Sequence, residues 1–153
     1  MSQDFRIEER APQPALSMRT RTTMAQLPEF FDRAYGAVLG RMAELGETPA
    51  GAPFAYYHNL DFDDLDIEAG FPVSRELESN GEVQAITLPG GRYCVGIHQG
   101  SYDTLSQTWD ALVKYATDQG HTPAGFVIEH YLTNPTEVAP EDNQTLLTLP
   151  LVE

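Results

Sequence analysis

The residues best suited to chemistry lie in one short stretch, Phe126-Val127-Ile128-Glu129-His130-Tyr131. The stretch reads as a strand, in which successive side chains point to opposite faces. Phe126 and Ile128 share a face expected to rest on a helix. Val127, Glu129 and Tyr131 share the other, expected to look onto a concave surface away from the helices. A carboxylate among apolar neighbours is costly to bury without a partner. Aromatic rings beside it would hold a cationic or hydrogen-bond-donating compound through their faces as well as through charge. Burial also raises a carboxyl's pKa in general, which suits it to acid or base work.

The elements that must position this strand come from a duplication. Gly46-Glu47-Thr48-Pro49-Ala50-Gly51 is echoed by Gly120-His121-Thr122-Pro123-Ala124-Gly125, an offset of 74 residues. The same offset sets Phe31 on Leu105, Tyr35 on Trp109, Val38 on Leu112 and Leu39 on Val113, a helical stripe in both copies. It also sets Tyr57 on Tyr131, but Ala55 on Glu129, so one copy carries a methyl where the other carries a carboxylate. Helices are expected over about 28–45 and 101–119. Pro28 suits the first turn of one and Ser101 caps the other, while Gly46 and Gly120 end them.

Strands are expected around Phe5–Glu9, Leu16–Met18, Glu82–Ile86 and Tyr93–Ile97, and after each helix over 52–59 and 125–132. Pro89-Gly90-Gly91 is expected to close a hairpin between two of them. The terminal strands Phe71-Pro72-Val73 and Leu149-Pro150-Leu151 correspond at an offset of 78, four residues having entered the loop after Tyr131. The expectation is a single α+β domain over residues 1–153, with pseudo-repeats at about 1–73 and 82–151. Duplicated strand–helix–strand–strand units would form a curved, mostly antiparallel sheet, with two helices on one face and a ligand groove between the halves.

Composition excludes several classes. With 9 Lys+Arg against 23 Asp+Glu, the formal charge is −14. Nucleic-acid affinity comes largely from basic side chains, and anionic membranes attract the same residues, so neither is expected as a direct partner. No apolar run approaches the roughly 20 residues that span a bilayer. Met1-Ser2-Gln3-Asp4 lacks the basic and apolar regions of a signal peptide. One cysteine, Cys94, cannot form an internal disulfide, so a cytoplasmic location is expected. Four His and one Cys show no metal-ligand spacing, and no metal or cofactor is expected. Asp61, Asp63, Asp64 and Asp66 read as a solvated acidic loop, with Asp66 and Glu68 on a shared face. Trp109 reads as core because its repeat partner is Tyr35, and His98 as a packed or hydrogen-bonded histidine near Tyr102.

Several motifs together resemble a known family. They are Asp66-Ile67-Glu68-Ala69-Gly70-Phe71-Pro72-Val73, Gly96-Ile97-His98-Gln99-Gly100-Ser101-Tyr102-Asp103, Leu105 with Trp109, Gly125, Glu129-His130-Tyr131, Asn134-Pro135 and Leu149-Pro150-Leu151. Their order and spacing resemble the GyrI-like (gyrase-inhibitor-like) effector-binding domains over essentially the whole chain. The resemblance implies a duplicated fold with a ligand groove. It also implies that Glu129 matches the acidic residue that contacts cationic drugs within an aromatic box. Tyr102 is carried over as a groove residue; Tyr57 and Tyr131 follow from the face argument.

Multidrug-sensing regulators with this domain carry a helix-turn-helix beside it. Met1–Gln13 is too short for one, so a stand-alone member is expected. The leading expectation is binding or sequestering of a hydrophobic, cationic or planar compound at Glu129, Tyr57, Tyr102 and Tyr131. One alternative is a hydrolase of cyclopropane-type electrophiles, in which Glu129 would be the catalytic residue. Another is an interaction module that masks a protein such as gyrase.

Overall fold

The computed structural model describes residues 5–59, 61, 63–134 and 136–152; Met1–Asp4 and the proline of Asn134-Pro135 lie outside them. Among the described residues the fold is α+β, with eight strands and two α-helices. In chain order these are β1 (Arg6–Arg10), β2 (Gln13–Thr22), α1 (Leu27–Glu44), β3 (Phe54–Tyr57), β4 (Leu65–Pro72), β5 (Gln84–Leu88), β6 (Gly91–Gln99), α2 (Leu105–Asp118), β7 (Val127–Tyr131) and β8 (Gln144–Pro150). Every strand pairing described is antiparallel.

The chain divides into two compact units, one from residues 11–90 and one from the described residues of 1–10 and 91–153. The first unit orders its strands β3-β4-β2-β5, and the second β7-β8-β6-β1. Each is therefore a strand–helix–strand–strand motif, β2-α1-β3-β4 or β6-α2-β7-β8, with one outer strand added. The duplication seen in the residues is a duplication of topology. Each helix buries one stripe: Leu27, Phe30, Ala34, Val38 and Met42 on α1, and Thr108, Leu112 and Ala116 on α2. Gly46 and Gly120 follow the helices with φ of 69° and 87°, a left-handed conformation that only glycine enters without steric cost.

Two expectations need correction here. Ser101 does not cap an α-helix. Its side chain accepts from the Asp103 N–H and opens a 3-10 turn, Tyr102–Thr104, after which α2 begins. Pro89-Gly90-Gly91 does not close a hairpin. β5 pairs with β2, and β6 pairs with β1 and β8. Turn residues mark where a strand stops, but the burial of its apolar side chains selects its partner.

The register identifies which face of the second unit carries its helix. The Cys94 sulfur lies 3.9 Å from the Leu112 carbonyl of α2. A Cβ placed on Gly96 would sit 3.5 Å from the Leu112 side chain. His98 Nδ1 lies 2.6 Å from Thr108 Oγ1. These three alternate residues of β6 define the helix-bearing face, which the pairing extends through Leu149, Leu147 and Thr145 of β8 to Glu129 and Tyr131 of β7. Burial pushes the Cys94 thiol up to about 11, the condition of an unreactive core cysteine.

Candidate functional site

Glu129 is 5% exposed and lies on that helix-bearing face. This overturns the expectation that it points away from the helices, with Ile128 against them. The indole Nε1–H of Trp109, on α2, donates to Glu129 Oε2 at 2.7 Å. The Tyr131 hydroxyl donates to Oε1 at 2.8 Å. Ile128 takes the opposite face, paired with Thr148. Alternation separated the two faces correctly. It could not say which one the helix covers, because both carry apolar residues.

Trp109 is not the plain core residue that its repeat partner predicts. Its repeat partner Tyr35 sits on the same helical stripe and donates its hydroxyl to the Phe54 carbonyl at 2.8 Å. The two helices use one position in two ways. Where the facing strand offers Ala55, the aromatic bonds to backbone; where it offers Glu129, the aromatic bonds to the carboxylate. The signal was available, since an aromatic difference on the helix accompanies the Ala-to-Glu difference on the strand.

Tyr102 joins the cluster from the 3-10 turn before α2. Its ring meets Tyr131 edge-on, with centroids 6.1 Å apart and planes at 66°. Burial, and then the negative charge of Glu129, raise its phenol above the ordinary tyrosine range. Tyr102 therefore feels the field of the carboxylate while remaining 40% exposed. His98 holds this turn in place. It is buried, with Nδ1 on Thr108 Oγ1 at 2.6 Å and Nε2 on the Ser101 carbonyl at 2.9 Å. Both ring nitrogens are engaged in fastening β6 to the start of α2, which is a positioning role.

The structure thus brings together Glu129, Tyr131 and Tyr102 and adds Trp109. Tyr57 belongs to the other unit, where it ends β3, is buried and pairs with Ile67. In that unit Asp66 accepts two hydrogen bonds from Arg19, at 2.8 and 2.7 Å. Glu68 is 4% exposed and accepts from Ser17 at 2.8 Å, with His58 on its other oxygen. Both acids lie on the face away from α1, whose Tyr35 packs on Phe71. No cluster of metal-binding side chains occurs among the described residues.

The GyrI-like small molecule binding domain family matches residues 3–152. The chain belongs to that family. The GyrI-like fold is similar to the crystal structure of the EcmrR C-terminal domain, with a TM-score of 0.81 at 16% identity over 100% of this chain and 99% of that one. Against EcmrR in its DNA complex, the match covers 99% of this chain but 58% of the longer one, so the domain spans little more than half of that protein. A structure described as a hydrolase from Listeria innocua matches with a TM-score of 0.71 at 14% identity, over 97% of this chain and 91% of that one. SAV2435 bound to tetraphenylphosphonium matches with a TM-score of 0.69 at 14% identity, over 97% and 94%. At such identities the likeness is one of fold. No curated protein matches the GyrI-like chain. Its described helices include none long and apolar enough to cross a membrane.

Beside Glu129 on β7, His130 points to the opposite face. Burial, reinforced by the positive charge of Arg10, pushes its pKa down from 6.5 to about 4. Between about pH 4 and 6.5 the native imidazole is therefore neutral where the unfolded chain's is protonated. Stability from this group is complete above about pH 6.5 and is lost as pH falls toward 4. The loss at pH 4.5 should be about 2.5 kcal/mol. Urea unfolding at pH 7 and pH 4.5 tests this: the drop should shrink in His130→Gln, and an equal drop in both proteins would refute it.

Proposed function

We propose that this GyrI-like domain binds a hydrophobic, cationic or planar organic compound. Glu129 supplies the counter-charge, and Trp109, Tyr131 and Tyr102 supply aromatic faces. The supporting observation is the buried carboxylate held by two neutral aromatic donors. Hydrogen bonds from an indole and a phenol stabilise the carboxylate's charge without neutralising it. A cation that displaces or approaches these donors meets a full negative charge and π-electron faces in one place. The tetraphenylphosphonium on SAV2435, a protein of similar fold, supports the chemistry. The role that fits is sequestering or sensing of toxic compounds in the cytoplasm, without direct contact to nucleic acid.

The geometry favours binding over hydrolysis. One lone pair on each Glu129 oxygen is taken by a protein donor, so a general base would have to act through the remaining ones. The Tyr131 hydroxyl likewise spends its proton on Glu129 rather than on a substrate. The test is calorimetric titration with tetraphenylphosphonium, followed in parallel by fluorescence of Trp109, the protein's one tryptophan. Saturable binding with a change in indole emission is the expected result; no heat and no emission change would reject the proposal. Incubation with a cyclopropane alkylator, read by mass, should give no more ring-opened product than buffer does. Multiple turnovers would move the assignment to the hydrolase.

A further inference from the structure

Among the described residues, two buried side-chain polar atoms have no hydrogen-bond partner: Arg41 Nε and Thr145 Oγ1. Thr145 is fully buried on β8. It pairs directly with Tyr131 across β7–β8, one row from the Glu129–Leu147 pair and on the same face. Glu129 and Thr145 are thus diagonal neighbours on adjacent strands, roughly 7 Å apart at the backbone, a span one polar group can bridge.

Burying a hydroxyl without a partner is unfavourable, and the fold has an easy alternative. The repeat shows it. Where β8 carries Thr145 opposite Tyr131, β4 carries Ile67 opposite Tyr57, another β-branched side chain that is fully buried. Three departures from the repeat therefore converge on one place: Trp109 for Tyr35, Glu129 for Ala55 and Thr145 for Ile67. The first two are joined by a hydrogen bond. The third presents a buried polar atom with no hydrogen-bond partner among the described residues.

We infer that Thr145 is a specificity residue of the site: its hydroxyl takes a hydrogen bond from an N–H or O–H group of the compound held by Glu129. The domain thereby prefers aromatic cations bearing an amine or hydroxyl over cations of equal charge without one. Tyr131, directly opposite Thr145, is half-buried, and its ring meets that of exposed Tyr102. This inference rests on the binding reading above.

Two probes separate them. Tetraphenylphosphonium has neither N–H nor O–H; ethidium is a planar cation with two aromatic amines. Affinities for both are measured on wild type, Thr145→Val, which replaces the hydroxyl with a methyl of similar shape, and Thr145→Ser, which keeps it. Thr145→Val should weaken ethidium about tenfold and leave tetraphenylphosphonium within about twofold, while Thr145→Ser holds ethidium near wild type. The apo Thr145→Val protein should melt at or above the wild-type temperature, because an unsatisfied hydroxyl is gone. Equal affinities of wild type and Thr145→Val for both probes would overturn the inference and leave the binding reading standing. Equal losses for both probes would make Thr145 a packing residue and overturn it too. Failure of both probes to bind wild type would reject the binding reading and the inference with it.

Discussion

Glu129→Gln should weaken binding of a planar aromatic cation roughly 30-fold, corresponding to about 2 kcal/mol, while leaving the protein folded. The argument starts from the two donors. Trp109 can only donate, so the glutamine amide must turn its oxygen to the indole. Its NH2 then faces Tyr131, whose hydroxyl rotates from donor to acceptor. Both contacts survive in neutral form, so the stability cost should stay near about 1 kcal/mol. What disappears is the buried negative charge, and with it the electrostatic preference for a cation. Titration of wild type and Glu129→Gln with ethidium, beside a neutral aromatic of similar size, isolates this effect. The cation should lose affinity and the neutral compound should not. Identical cation affinities in the two proteins would show that the carboxylate is a structural acceptor for Trp109 and Tyr131 and nothing more.

Gly70→Ala should destabilise the fold by roughly 3–5 kcal/mol, among the larger effects a single methyl can have. A Cβ at Gly70 would lie 1.9 Å from the Leu16 carbonyl oxygen and 2.8 Å from the Ser17 Cα. These are backbone atoms of the paired strand, so no rotamer change relieves the clash. β2 and β4 would have to part where Ser17 faces Gly70, inside their ladder. Gly36→Ala is the control. It lies in α1 with nothing within 4 Å of the added methyl. That change should raise stability by about 0.5–1 kcal/mol, because alanine restricts the unfolded chain and favours helix. Chemical denaturation of both variants decides the matter. A loss below about 1 kcal/mol for Gly70→Ala would mean that the strands separate more easily than their pairing implies. The Asp66–Val73 motif then has a physical reading: its glycine is where two strand backbones come too close for any side chain.

Much of the fold was legible because its signals are local. The 3.6-residue stripes of α1 and α2, their glycine stops and the Thr-Pro-Ala-Gly echo depend on residues near one another in the chain. The expected spans of about 28–45 and 101–119 meet Leu27–Glu44 and the turn-plus-helix of Tyr102–Asp118 closely. The Pro89-Gly90-Gly91 hairpin failed because pairing is not local. β1 pairs across to Gly91–Val95, and β5 pairs across to Gln13–Ser17, more than sixty residues away in each case.

For the site, the sequence by itself determined that Glu129 is the exceptional residue. A carboxylate stands where the repeat has a methyl, between positions whose alternation marks a strand. It also determined that Tyr131 shares its face, since that follows from a two-residue period. Only the tertiary structure decided which face this is. The alternation of Val127, Ile128 and Glu129 is apolar on both sides, so nothing local distinguishes the side covered by α2. Packing did so by bringing Trp109 within 2.7 Å of the carboxylate. That contact turns a candidate core tryptophan into a partner of the acid, and strand pairing places Thr145, silent in the sequence, as a buried hydroxyl one row from the carboxylate. Hydrogen-bond partners twenty residues apart are set by how helix and strand dock, which no spacing along the chain records.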